Sequence, residues 1–110
     1  MSKFMLLYRN PAAAERQQSP AEMEQVLAQW GAWKKAHPSI IDMGDGLLPS
    51  GKQLKGGVVT DGPTIESKEL VSGYSIVEAA SYEAVLVVAK ACPMNLVPGA
   101  RIEVRQLAGY

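Results

Sequence analysis

The first apolar run of the chain decides the fold: residues 3–9 read KFMLLYR and are followed by Asn10-Pro11. A continuous run of this length that ends at a turn signal is typical of a strand buried on both faces. Because successive side chains of a strand point to opposite faces, both faces are predicted to carry apolar side chains. Phe4, Leu6 and Tyr8 share one face, and Met5 and Leu7 share the other.

A helix is predicted next in the chain. Ser19-Pro20-Ala21-Glu22 supplies an N-cap serine, a proline at the first helical position and a glutamate that completes a capping box. Pro38 disfavours helical geometry at His37, so the helix is expected to end near Lys35 or Ala36. Five apolar residues fall on one stripe of this helix, which predicts that the stripe faces a core. They are Met23, Val26, Leu27, Trp30 and Trp33.

The remaining elements are predicted from turn and cap signals. Gly44-Asp45-Gly46 indicates a bend or bulge in a second strand. Gly56-Gly57 indicates the turn of a small hairpin, and Ser81 caps a second helix that stops at Cys92-Pro93. The predicted spans are a strand over 40–48, a hairpin over 52–60, a strand over 70–79, a helix over 82–91, a loop over 95–99 and a strand over 100–107.

This order of elements predicts an α+β, ferredoxin-like subunit with the split βαβ arrangement and a small extra β-hairpin before the third core strand. A length of 110 residues suits one domain over the whole chain, residues 1–110. Two helices cover only one face of such a sheet, so the apolar side chains on the other face need a partner. A homodimer that packs sheet against sheet around a barrel-like interior would bury them.

Composition narrows the classes of function. Eleven Lys and Arg balance eleven Asp and Glu, so no general positive field attracts nucleic acid or a membrane, and neither partner is expected. His37 and Cys92 are the sole histidine and cysteine, so neither a metal site nor any other cofactor is predicted. The first apolar run is too short for a signal-peptide core or a membrane span, which favours a cytoplasmic protein.

Three carboxylates lie close together in the sequence, at Asp61, Glu66 and Glu69. Like charges held in one cleft raise the pKa of one of them, which would make a proton acceptor or donor that works near neutrality. The alternative is structural: Asp61 caps the Asp61-Gly62-Pro63 turn, while Glu66 and Glu69 pair with Lys68 and Arg105. Both interpretations remain open at the level of sequence.

Other side chains offer binding roles beside structural ones. Arg105 would hold a substrate carboxylate if its strand face looked into a dimeric barrel, or else bridge to Glu66 or Glu69. Trp30 and Trp33 either line an aromatic pocket or belong to the core. The hydroxyls of Tyr8 and Tyr74 are candidate substrate contacts, whereas strand tyrosines more commonly pack. His37 is expected to be an exposed cap residue and Cys92 a small buried apolar residue.

The chain resembles a known family over nearly its whole length. The resemblance lies in residues 61–69 (DGPTIESKE), in Ser72-Gly73-Tyr74, in Ile102-Glu103-Val104-Arg105 and in Trp30-Gly31-Ala32-Trp33. These segments are similar to the YCII-related family, in particular the branch named for a DGPF motif. The resemblance implies a ferredoxin-like subunit that forms a dimeric α/β barrel, a fold shared with muconolactone-type isomerases and a dehalogenase of chlorinated lactones.

Two departures from the family pattern bear on chemistry. Thr64 stands where the motif has an aromatic residue, which implies a smaller and more polar wall beside the turn. A His-Asp pair has been proposed as a catalytic centre in part of the family. His37 matches no histidine position of that pair, so the proposed centre does not transfer to this chain.

Two hypotheses about function follow. The first is a cofactor-free enzyme that performs isomerase-, lyase- or dehalogenase-like acid–base chemistry on a small organic acid or lactone, with Asp61 or Glu66 as the base. Its candidate substrate-binding residues are Arg105, Tyr8, Tyr74, Trp30 and Glu69. The second hypothesis is a non-catalytic dimeric module that binds a small molecule in a cleft or interacts with another protein.

Overall fold

The computed structural model of the protein describes residues 1–11, 19–65 and 68–110. Six strands and two α-helices form within these ranges, together with a short 3₁₀ helix at Pro93–Leu96. The elements are β1 (Ser2–Pro11), α1 (Pro20–Ala36), β2 (Ile40–Asp42), β3 (Lys52–Lys55), β4 (Val58–Asp61), β5 (Glu69–Ala79), α2 (Tyr82–Lys90) and β6 (Arg101–Gln106).

The main sheet has the strand order β2-β5-β1-β6, and every pair in it is antiparallel. Strand β1 is one of the two inner strands and pairs with β5 on one side and β6 on the other. Two helices and an antiparallel sheet in this order are compatible with the predicted ferredoxin-like α+β fold.

Local sequence signals place both helices. Ser19 Oγ accepts a hydrogen bond from the backbone N–H of Glu22 at 3.2 Å, and the helix ends at Ala36, before Pro38. Ser81 Oγ accepts from the N–H of Ala84 at 3.2 Å in the same way. Both predicted N-caps are therefore confirmed.

The core lies between one face of the sheet and the two helices. Its members from the sheet are Phe4, Leu6, Tyr8, Ile40, Val77 and Ala79, and those from the helical side are Trp33, Val85, Val88, Ala89 and Cys92. The indole Nε1 of Trp33 donates to the carbonyl of Val88 at 2.9 Å, which ties α1 to α2 inside the core. Cys92 is buried, as predicted.

The prediction that the whole apolar stripe of α1 faces a core is wrong. Trp33 is the only buried residue of the helix, whereas Met23 is 53 % exposed and Leu27 is 68 % exposed. The reason is that Val26 and Leu27 line an open cleft, while Trp30 lines the same cleft and also packs against the edge of the core. Helical periodicity aligned these residues correctly but did not reveal what they face.

Two further spans differ from expectation. The second strand ends at Asp42 and continues only as an isolated bridge between Gly46 and Gly73, because Gly44 has a φ of +70° that turns the backbone out of the strand. The predicted bend is confirmed. The 3₁₀ helix at Pro93–Leu96 covers the first two residues of the loop expected over 95–99.

The predicted hairpin forms a separate two-stranded sheet of β3 and β4. Gly56 and Gly57 both adopt positive φ, as a two-residue hairpin turn requires. Apolar side chains on this hairpin are exposed, among them Leu54, Val58 and Val59.

The face of the main sheet opposite the helices, here called the open face, carries half-buried apolar side chains. Leu7 pairs with Tyr74 and Met5 with Ile76 across β1 and β5. Apolar side chains are therefore present on both faces of the sheet, as residues 3–9 predicted. Neither described helix is long and apolar enough to cross a membrane.

Candidate functional site

A cleft of about 320 Å³ opens between α1 and one end of the main sheet. It is called the Trp30 cleft below. Its walls are Val26, Leu27 and Trp30 of α1, Tyr8 of β1, residues 72–74 of β5, residues 43–46 after β2, and Met94. The cleft exists because the N-terminal half of α1 stands away from the sheet while Trp33, nearer the other end of the helix, is packed in the core.

Glycines bring the segment 43–46 against β5. A Cβ at Gly44 would lie 1.8 Å from the carbonyl oxygen of Tyr74, and a Cβ at Gly73 would lie 2.9 Å from the carbonyl oxygen of Asp45. Both distances are too short for a side chain, so glycine is required at each position. The carboxylate of Asp42 accepts a hydrogen bond from the N–H of Gly44 at 2.8 Å and stabilises the turn.

A buried chain of hydrogen bonds connects the core to the segment 43–46. The thiol of Cys92 donates to the hydroxyl of Tyr8 at 3.7 Å, and that hydroxyl donates to Ser75 Oγ at 2.6 Å. The Ser75 hydroxyl donates in turn to the carbonyl of Met43 at 2.6 Å. Tyr8 and Ser75 are 3 % and 0 % exposed, so each group in the chain depends on its neighbour for a hydrogen bond.

Burial raises the pKa of the Tyr8 phenol far above its ordinary value, and the hydrogen bond to Ser75 offsets only part of this effect. Burial also raises the pKa of the Cys92 thiol. Both groups are therefore neutral at physiological pH. The hydroxyl hydrogen of Tyr8 is donated to Ser75, and Ser75 in turn binds the carbonyl of Met43 in the wall of the cleft. The Tyr8 hydroxyl therefore has a structural role in this wall.

The aromatic wall of the cleft is rigidly held. The rings of Trp30 and Tyr8 meet edge to face, with centroids 5.4 Å apart and an interplanar angle of 67°. Trp30 meets Trp33 in the same manner at 5.5 Å and 88°. Of the two tryptophans considered from sequence, Trp30 lines the cleft and Trp33 belongs to the core.

Tyr8 and Trp30, two of the predicted substrate contacts, lie together in this cleft, and Tyr74, which the strand register places opposite Leu7 of the open face, also borders it. Asp45 was not among the predicted site residues, yet it lines the cleft as well. The sequence signal that marks it is the pair of glycines around it, which had indicated only a bend.

The predicted acidic residues lie elsewhere. Asp61 is on the separate hairpin, where its carboxylate is 88 % exposed and accepts from Lys52 Nζ at 2.6 Å. This pair crosses the hairpin, as the register of Lys52 with Asp61 requires. Glu66 lies outside the described residues.

Glu69 pairs with Arg101 rather than with Arg105, so the predicted Glu69–Arg105 bridge is wrong. Arg101 Nε donates to Glu69 Oε2 at 2.9 Å, and a second contact joins Arg101 to Glu69 Oε1. Glu69 is opposite Pro11 and Arg101 is opposite Arg9, which puts Glu69 and Arg101 at the same end of the sheet. Arg105 is opposite Met5, further along β1.

Arg105 lies on the open face with a different partner. Its Nη1 is 3.7 Å from Glu103 Oε2, while Glu103 Oε1 accepts from Arg9 Nε at 2.9 Å. The structure thus gives Asp61, Glu69 and Arg105 three different partners. Among the described residues, no group of three or more His, Cys, Asp or Glu side chains is placed to hold a metal ion.

These features define a class: a small α+β protein with an antiparallel sheet, two helices on one face and an apolar cleft under the first helix. The family model for the YCII-related domain matches residues 1–107. The chain therefore belongs to the YCII-related domain family. No curated protein matches the chain.

Proposed function

We propose that the protein binds a small, mostly apolar organic molecule in the Trp30 cleft. The observation that carries this proposal is the cleft itself, whose volume of about 320 Å³ falls within the range of small-molecule sites. Its apolar residues Val26, Leu27 and Met94 surround an aromatic wall, and a buried hydrogen-bond chain fixes the opposite side. A site held in shape before binding loses little conformational entropy when the ligand enters.

The test uses 2-phenylethanol as the probe and follows backbone and indole NMR signals of the protein. Leu27→Glu places a carboxylate at the apolar cleft and is expected to weaken binding at least tenfold, because about 1.4 kcal/mol of lost apolar burial is enough for that change. Leu27 is 68 % exposed, so the fold should tolerate the substitution.

Val87→Glu is the matched control. Val87 is 65 % exposed on α2 and does not line the cleft, so this variant should bind the probe as the wild type does. Equal weakening by both substitutions would contradict a site at the cleft.

The second candidate is the cofactor-free enzyme that acts on a small organic acid or lactone. It is supported by Arg105, whose side chain is 69 % exposed and whose contact with Glu103, at 3.7 Å, is too long for a hydrogen bond. In this proposal Arg105 binds the substrate carboxylate, Asp61 or Glu66 accepts the proton, and Glu69 and Tyr74 assist binding. Asp61→Asn and Glu66→Gln should abolish a turnover measured on a set of lactones, and unchanged turnover would exclude these bases.

A homodimer that packs open face against open face, as a dimeric α/β barrel, is part of the proposal. The accessible surface of the chain is 7884 Å², whereas a compact monomer of 11.8 kDa exposes about 5,900 Å². Part of this excess comes from the separate hairpin, all of whose strand residues are exposed, and the apolar open face supplies further surface of the kind that an obligate dimer buries. Sedimentation equilibrium should give twice the chain mass, and a stable monomer would contradict this part.

Two further assignments complete the proposal. Membership of the DGPF branch is supported by Asp61-Gly62-Pro63 and by Ser72-Gly73-Tyr74. A cytoplasmic location is supported by Cys92, a single free cysteine, because reducing compartments favour free thiols.

A further inference from the structure

We infer that the ligand of the Trp30 cleft is an organic cation, such as a protonated amine on an apolar or aromatic body. This inference rests on the proposed function, because it names the chemical class of the ligand bound at the same site. It is carried by the charge, the hydrogen-bonding groups and the aromatic side chains that line the cleft.

The charge of the cleft is negative. Among the described residues that line it, Asp45 is the single charged one. The arginines Arg9, Arg101 and Arg105 lie on the open face, where each has a glutamate partner. A cationic ligand would find the exposed residue Asp45 on the described lining, and an anionic ligand would find no counter-charge there.

Three of the hydrogen-bond donors around the cleft are already engaged. The Tyr8 hydroxyl donates to Ser75, and the Ser72 hydroxyl donates to Asn10 Oδ1 at 2.6 Å. The N–H of Gly46 donates to Asp45 Oδ1 at 2.8 Å. A carboxylate has several acceptor sites, so Asp45 retains capacity to accept from a ligand. Asp45 can therefore accept a hydrogen bond from a ligand that brings a donor.

The aromatic wall favours the same class of ligand. An ammonium group close to the ring of a tryptophan or tyrosine is attracted by the negative face of the ring, most strongly by tryptophan. Trp30 is held by edge-to-face contacts with Tyr8 and Trp33, so its ring is fixed where it lines the cleft. Aromatic rings next to one carboxylate suit an amine with an apolar body.

The experiment compares three probes of similar size at neutral pH: 2-phenylethylamine, which is protonated, 2-phenylethanol, which is neutral, and phenylacetate, which is an anion. NMR titration gives the dissociation constant of each. We expect the amine to bind roughly fivefold tighter than the alcohol, as a partly exposed ion pair with a cation–π contact allows, and phenylacetate to bind more weakly than the alcohol.

Asp45→Asn tests the role of the carboxylate. This substitution should bring the amine-to-alcohol affinity ratio close to one, because it removes the negative charge and keeps the size of the side chain. The side chain of Asp45 hydrogen-bonds only to the adjacent Gly46 among the described residues, so the fold should persist. Glu83→Gln removes one negative charge at an exposed position of α2 outside the cleft and should keep the fivefold ratio.

The outcomes separate the two proposals. Equal binding of amine and alcohol, or tighter binding of phenylacetate, would overturn the cation inference and leave the Trp30 cleft as a ligand site. An amine preference that survives Asp45→Asn would overturn the role of Asp45. Failure of all three probes to bind would overturn the proposed function and the inference together.

Discussion

Ser75→Ala should destabilise the protein more than Tyr8→Phe does, although it removes the same kind of group. Ser75 lies in the middle of the buried chain that runs from Cys92 through Tyr8 to the carbonyl of Met43. Removing its hydroxyl leaves the buried Tyr8 hydroxyl without its acceptor and the partly buried Met43 carbonyl without its donor.

The magnitudes follow from these contacts. Each buried polar group left unpaired costs about 1 to 3 kcal/mol, so Ser75→Ala should lower the free energy of unfolding by about 3 kcal/mol. Tyr8→Phe removes the donor itself, leaves the hydrogen bond from Ser75 to Met43 intact and deprives only the thiol of Cys92, a weak donor, of its acceptor. It should therefore cost about 1 kcal/mol. The double variant should cost about 2 kcal/mol less than the sum of the two, because the Tyr8 donor is absent.

The assay is urea unfolding followed by tryptophan fluorescence, at one fixed protein concentration because the proposed dimer would make stability depend on concentration. For m values of about 1 to 3 kcal/mol per molar urea, a loss of 3 kcal/mol lowers the midpoint by about 1 to 3 M. Equal costs of Tyr8→Phe and Ser75→Ala, or strictly additive costs in the double variant, would refute the hydrogen-bond chain.

Other predictions concern backbone, charge and pH. Gly44→Ala should lower the free energy of unfolding by more than about 2 kcal/mol, because Gly44 has φ +70° and no room for a Cβ. Gly31→Ala should raise the free energy of unfolding by about 0.5 to 1 kcal/mol, because nothing lies within 4 Å of the added methyl group. Asp61→Asn should change the free energy of unfolding by less than about 0.5 kcal/mol, because its ion pair is exposed. Stability should fall as pH rises above about 9 to 10: burial raises the pKa of Tyr8 and Cys92 in the folded state, so the unfolded chain loses these protons first.

Each of these predictions would be contradicted by a different result. Similar effects of the two glycine substitutions in urea unfolding would contradict the close approach of Gly44 to Tyr74. A loss of more than about 1 kcal/mol on Asp61→Asn would show a structural role beyond an exposed pair. Tyr8→Phe should make the decrease in the free energy of unfolding at alkaline pH shallower. An identical decrease in the wild type and the variant would contradict a buried, neutral Tyr8 phenol.

Local signals were sufficient to predict most of the fold. Ser19 and Ser81 cap the two helices as expected, and Gly56-Gly57 forms the hairpin turn, because each of these signals acts over a few neighbouring residues. The inner position of β1 followed from its unbroken apolar run. Leu27 was misassigned because periodicity indicates which side chains share a helix face, and packing alone decides whether that face is covered.

The candidate site was less accessible to sequence reasoning. Tyr8, Trp30 and Tyr74 were each singled out, but they come from three elements, so their meeting in one cleft depends on tertiary structure. Asp61 and Glu69 are near in sequence yet lie on strands of different sheets. Glu69 pairs with Arg101 because of strand register, which residue types alone do not specify.

The most direct test of the central claim is a titration of the wild-type protein with 2-phenylethanol, in which every assigned backbone amide and the Trp30 indole are followed by NMR. We expect the largest shift changes on the Trp30 indole and on residues 43–46 and 72–74, and we expect Leu27→Glu to suppress them while Val87→Glu does not. Shift changes confined to the open face around Arg105, or none at all, would contradict a ligand site in the Trp30 cleft.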